Sequence, residues 1–166
     1  MKIFKLILSV LLVCCIGYII FGFSASVGEE SASFSLKITK AVLNIFNPGW
    51  VNMPNADEFL DTIHIVFRKI GHFSEYAAFG FSLCFMIHSI DAFSAKESSN
   101  AYCFTAASVL GVLYAFSDEI HQLYVPGRAG MLTDVLIDSC GVIFGVSIFI
   151  LVLTIIRKII RKRSLK

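Results

Sequence analysis

The chain has 166 residues, of which 57% are hydrophobic and 16% charged, with a formal net charge of +2 and a mean hydropathy of +0.79. Soluble proteins average roughly 45–50% apolar and about 25% charged residues. This composition excludes an ordinary cytosolic enzyme, a disordered chain and a typical nucleic-acid module, and it makes lipid the solvent for most of the surface.

A membrane-crossing helix needs about 20 mostly apolar residues. The first such run, residues 3–23, is uncharged from Leu6 onward and carries Lys2 and Lys5 at its head, which place its start on the cytoplasmic side. Ser24-Ala25-Ser26 resembles a small-residue cleavage site, but the run exceeds the 7–15 residues usual in a signal peptide, so an uncleaved span is expected. Residues 24–69 form the longest polar stretch and are expected to be an outer loop. Within it Phe34, Ile38, Ala41, Val42 and Ile45 share one helical stripe, with Lys37, Lys40 and Asn44 opposite. That pattern predicts an amphipathic helix on the membrane surface or against the bundle. Pro48-Gly49 ends it, and Asn55 can cap a new helix whose first turn carries Asp57 and Glu58. The only tryptophan, Trp50, is expected to anchor at the membrane interface.

The new helix should run directly into a second span, residues 70–90. A short polar turn over 91–100 precedes a third span, residues 101–117, and Val125-Pro126-Gly127-Arg128 makes another turn. A fourth span covers residues 135–156, with Gly141-x-x-x-Gly145 as a contact seam. Gly71, Gly80 and Gly111 are likewise expected at close helix contacts. The end is basic: six of the 14 Lys and Arg fall in residues 157–166, marking a cytoplasmic tail that also attracts anionic lipid. The predicted fold class is therefore all-α, a small polytopic membrane protein of about four transmembrane helices with an amphipathic surface helix, one unit over residues 1–166. Cys14, Cys15, Cys84, Cys103 and Cys140 lie in apolar runs without metal spacing and read as small buried hydrophobes.

This topology gathers the unusual residues at one membrane depth on the extracytoplasmic side. Arg68, Lys69, His72 and Glu75 open the second span, and Asp118, Glu119, His121 and Gln122 close the third. Arg128, Asp134 and Asp138 lead into the fourth. Spacings of three and four put Arg68, His72 and Glu75 on one helix face. Three bases (Arg68, Lys69, Arg128) face five acids (Glu75, Asp118, Glu119, Asp134, Asp138). Charges within a membrane are costly and turn inward to pair, so the acid excess asks for protons, a metal ion, a cationic ligand or water.

The motif series Arg68-Lys69-x-x-His72-x-x-Glu75-Tyr76, Tyr114-Ala115-x-Ser117-Asp118-Glu119-x-His121-Gln122, Pro126-Gly127-Arg128 and Asp134-Val135-x-x-Asp138-x-x-Gly141 resembles the VanZ-like family of bacterial membrane proteins. The resemblance covers roughly residues 10–156. Phe23-Ser24-Ala25 and Glu29-Glu30-Ser31 also fit, whereas Asp138 stands where many members carry Asn. It implies a multi-span protein of the Gram-positive cell envelope, linked to low-level resistance to teicoplanin, a lipoglycopeptide.

Three functions follow for testing. In the first, the outer cluster binds or modifies an envelope lipid, a lipid-linked glycan or a lipid-tailed antibiotic. Glu75 or Glu119 would then act as general base and His72 or His121 as acid or shuttle, near Asp118. Arg68 and Arg128 would hold an anionic group, with Lys69, Gln122, Asp134 and Asp138 completing the binding set. A variant of this reading places zinc or manganese on His72, Glu75, Asp118 and His121. In the second, the protein is a non-catalytic scaffold or shielding factor whose cluster fixes helix packing. In the third, it is a small transporter with His72 and His88 marking a path, which would require a homo-oligomer. The expected partners are membrane lipids and a lipid-linked precursor or lipoglycopeptide, not nucleic acid.

Overall fold

The computed structural model describes residues 2–93 and 99–164. Helix α1 (Lys2–Ala25) is followed by α2 (Gly28–Phe46), a short 3-10 turn (Pro48–Asn52), α3 (Ala56–Phe93), α4 (Asn100–Gln122) and α5 (Leu132–Ser164). Four of these, α1, α3, α4 and α5, are long and apolar enough to cross a membrane. With no strand among the described residues, the fold is that of an all-α polytopic membrane protein.

The spans are longer than expected at their polar ends. Helix α3 starts at Ala56, directly after the expected Asn55 cap, and runs unbroken into the second span as expected; the Asn55 carbonyl accepts its first intrahelical bond, from the Phe59 amide at 3.0 Å. Helix α4 continues past 117 through the acidic motif to Gln122, and α5 runs from Leu132 through most of the basic tail to Ser164. The expected outer loop is thus mainly helical. The turn expected over 91–100 begins later than predicted, since α3 extends to Phe93; residues 94–98 lie outside the described part.

The core forms where α3 meets α1, α4 and α5, around Tyr76, Phe79, Leu83, Cys84, Ala107, Val142 and Val146. Close approach of α5 to α3 depends on Gly141 and Gly145. A Cβ at Gly141 would collide with the Phe73 carbonyl, and one at Gly145 with the Ala77 carbonyl, as expected of a small-residue seam. Gly80 meets the Val142 carbonyl in the same way, and Gly111 gives room to the Val142 side chain. Gly71 differs from expectation: nothing lies within 4 Å of a Cβ built there. Cys84 and Cys103 are buried, but Cys14, Cys15 and Cys140 are exposed, corrected from the expectation because an apolar helix in lipid turns much of its surface outward.

Helix α2 lies against α3 through a second, smaller core of Leu43, Trp50 and Leu60. Trp50 is only 7% exposed and its indole N–H donates to Asn44 Oδ1 at 2.9 Å, so it is a core residue here and not an interface anchor. The expected apolar stripe is not the packing face of α2. Thr39 and Leu43 are buried, whereas Phe34, Ile38 and Ile45 are exposed, leaving an apolar stripe open to its surroundings.

Candidate functional site

A cavity of about 280 Å³ opens under α2, bounded by the C-terminal end of α1, the first half of α3, the end of α4 and the turn before α5. Its wall is partly apolar, with Ile20, Phe23, Phe34, Ile38, Phe67 and Ile70. Arg68, His72, Glu75, Asp118, Gln122 and Arg128 supply its charge and hydrogen-bonding capacity. Six of the eleven site residues expected from sequence therefore line one cavity. Gly71 lines it as well, which accounts for the open space around that glycine.

The α3 residues reach the cavity by helical arithmetic: Arg68, His72 and Glu75 recur at four and three residues. The same face continues four residues back to His64, whose Nε2 lies 2.7 Å from Ser35 Oγ on α2. Ser35 also lines the cavity. This contact holds α2 across its mouth, and sequence reasoning missed it. The spacing of four from His64 to Arg68 was the available signal.

Arg68 and Glu75 make no hydrogen bond or ion pair with another described residue. Asp118 is 5% exposed and accepts from Gln122 Nε2 at 3.2 Å, one turn along α4. Arg128 is tied down. Its guanidinium donates to the Phe23 carbonyl at 2.6 Å and to the Ser26 carbonyl at 3.3 Å. It thereby satisfies carbonyls left over at the end of α1. Burial and the Arg68 guanidinium push the Arg128 pKa down, while Asp118, Glu119 and Glu75 pull it up. The Pro126-Gly127 turn fixes this arrangement. Gly127 has φ +73°, which favours glycine, and the Pro126 carbonyl accepts from the Gly28 amide at 3.2 Å. A Cβ at Gly28 would strike the Gly127 carbonyl.

The other five expected residues lie outside the cavity wall. Lys69 pairs with Asp134 at the start of α5. Asp138 is fully buried behind the cavity, with Oδ1 3.5 Å from His72 Nδ1. Glu119 turns to the loop before α5, where its Oε2 accepts from the Met131 amide at 2.9 Å. His121 stacks on Phe21 of α1, ring centroids 4.7 Å apart. The proposed metal quartet of His72, Glu75, Asp118 and His121 does not assemble, because His121 is committed to this seam. Among the described residues no three His, Cys, Asp or Glu side chains are placed to hold a metal ion.

Two further groups bear on the cavity. Ser24, 3% exposed, lines it with a hydroxyl that has no hydrogen-bond partner. Behind it, neither Asp138 carboxyl oxygen has a hydrogen-bond partner, although Oδ1 stands 3.5 Å from His72 Nδ1. Buried polar groups without partners are uncommon and costly.

Four apolar helices define a multi-pass membrane protein, and three of them, with α2 and the turn before α5, surround a charged cavity of small-molecule size. The family model for VanZ/LLP1 matches residues 9–154, and the chain belongs to that family. No curated protein and no solved structure matches the chain.

Proposed function

We propose that the cavity under α2 is a binding site for an amphiphile of the bacterial cell envelope: a lipid, a lipid-linked glycan or a lipid-tailed antibiotic. The observation that carries this reading is the joining, in one cavity, of a charged set (Arg68, His72, Glu75, Asp118, Arg128) with an apolar wall that includes Phe34, Ile38 and Ile70. Ligand sites are typically concave, apolar and furnished with a few placed polar groups. Lys2 and Lys5 at one end, and Arg157, Lys158, Arg161, Lys162 and Arg163 at the other, favour cytoplasmic termini. The cavity then opens on the extracytoplasmic side, where such amphiphiles are met. Membership of the VanZ/LLP1 family supports a link to low-level resistance to teicoplanin-type lipoglycopeptides.

Binding is the primary role in this reading. Any acid–base chemistry would fall to Glu75 and His72, since Glu119 and His121 are turned elsewhere. A non-catalytic shielding role is the second reading, favoured by Arg128 and Glu119 being spent on backbone groups of neighbouring loops. Teicoplanin susceptibility of cells carrying wild type or His72→Ala, at matched membrane abundance, separates the two. Protection by the wild type and its loss in His72→Ala supports the cavity as the working site; equal protection makes the cluster structural.

A further inference from the structure

We propose that the occupant of this cavity is a zwitterionic amphiphile, its ammonium group between Glu75 and Asp118 and its phosphate or carboxylate on the Arg68 side. The proposal rests on the cavity being a binding site, as argued above, and names the class of ligand.

Opposite charges stand apart in this cavity. Two guanidiniums, Arg68 and Arg128, and two carboxylates, Glu75 and Asp118, face one cavity. Neither the Lys69–Asp134 ion pair nor the His72–Asp138 contact involves any of the four, so none of them neutralises another directly. In a poorly solvated setting opposite charges gain strongly by pairing, yet these side chains hold separate positions. Arg68 and Glu75 are seven residues apart on α3, two turns and about 10.5 Å of rise. A purely anionic ligand would satisfy the Arg68 end and bring negative charge toward Glu75 and Asp118. A purely cationic ligand would do the reverse at Arg68. A ligand carrying both charges a few bonds apart complements both ends at once.

Two more observations point to a ligand with a lipid body. Ser24 lines the cavity, and its buried hydroxyl has no hydrogen-bond partner within the protein. The volume of about 280 Å³ suits a headgroup, being at the low end for small-molecule sites. The apolar residues Phe34 and Ile38 at the edge are themselves exposed and give an acyl chain a path out along α2.

The test uses the full chain in nanodiscs of equimolar phosphatidylethanolamine and phosphatidylglycerol, transferred to detergent, with retained lipid counted by native mass spectrometry. The expected result is retention of phosphatidylethanolamine over phosphatidylglycerol by about tenfold, the scale of one or two charge-assisted hydrogen bonds. Glu75→Gln, and separately Asp118→Asn, should bring that ratio toward one while lipid is still retained. Arg68→Gln should lower retention of both lipids. Glu75 has no protein hydrogen bond to lose, so its variant should fold; monodisperse elution confirms this. Displacement of bound lipid by millimolar inorganic phosphate alone, equal retention of the two lipids by wild type, or an unchanged ratio in both acid variants would overturn the zwitterion. Soluble phosphoethanolamine binding as tightly as the lipid would overturn the need for a tail. Failure of wild type to retain any lipid would overturn the binding-site reading as well.

Discussion

Ser35 Oγ on α2 and His64 Nε2 on α3 meet at 2.7 Å directly beside the cavity. Helix α2 is otherwise fastened to α3 further along, by the Leu43–Trp50–Leu60 cluster. The Ser35–His64 bond therefore holds the N-terminal half of α2 over the site. Its removal in Ser35→Ala costs about 1 kcal/mol locally. Amide exchange in residues 28–38 should rise about fivefold, with α3 and α4 unchanged, as read by hydrogen–deuterium exchange mass spectrometry.

Glu119 distinguishes a structural from a chemical carboxylate. Its Oε2 accepts from the Met131 amide, and an amide oxygen can replace it there. Glu119→Gln should stay within about 0.5 kcal/mol of wild type in detergent stability, while Glu119→Ala loses about 1–3 kcal/mol because a backbone N–H is left unpaired. Cells carrying Glu119→Gln should also retain function, which a general-base role would forbid.

Arg128 acts through its planar fork. Two donors reach the Phe23 and Ser26 carbonyls, a geometry a single ammonium does not reproduce. Arg128→Lys should therefore lower detergent stability almost as far as Arg128→Gln, by about 1–3 kcal/mol, measured as thermal loss of monodisperse protein.

The α3–α5 seam sets the fold. Gly145→Leu places side-chain atoms where the Ala77 carbonyl stands. Backbone carbonyls cannot yield as side chains do, so the helices must separate. Overpacking of this kind costs about 1–3 kcal/mol or more, and fluorescence-detected size exclusion should show loss of the monodisperse peak.

Much of this architecture was legible in the sequence because long apolar runs and helical spacing are local signals. Four spans, a short helix carrying the stripe from Phe34 to Ile45 and the Gly141–Gly145 seam were readable that way. Arg68, His72, Glu75, Asp118, Gln122 and Arg128 could be grouped because few charges occur in the spans, so each one stands out. The sequence does not encode in any local pattern which way Glu119 and His121 turn. Residues 118, 119, 121 and 122 spread over about 160° of α4, and only packing against α1 and the loop before α5 assigns what each one meets. The same limit hid Trp50, whose burial depends on Leu60 from another helix. The apolar stripe of α2 was legible as a stripe, but whether it faced the membrane or the bundle was left open, since only the packing of Thr39 and Leu43 identifies the buried face.

Gly71 offers the most direct test of the cavity. It lines the space, and nothing stands within 4 Å of a Cβ there. Gly71→Leu should fill the cavity while gaining up to about 0.8–1.0 kcal/mol of helix propensity. The measurement is lipid retention by purified Gly71→Leu beside wild type, at equal monodispersity. The account predicts a normally folded protein that has lost the retained lipid. Retention equal to wild type with Gly71→Leu properly folded would contradict the claim that this cavity is the working site.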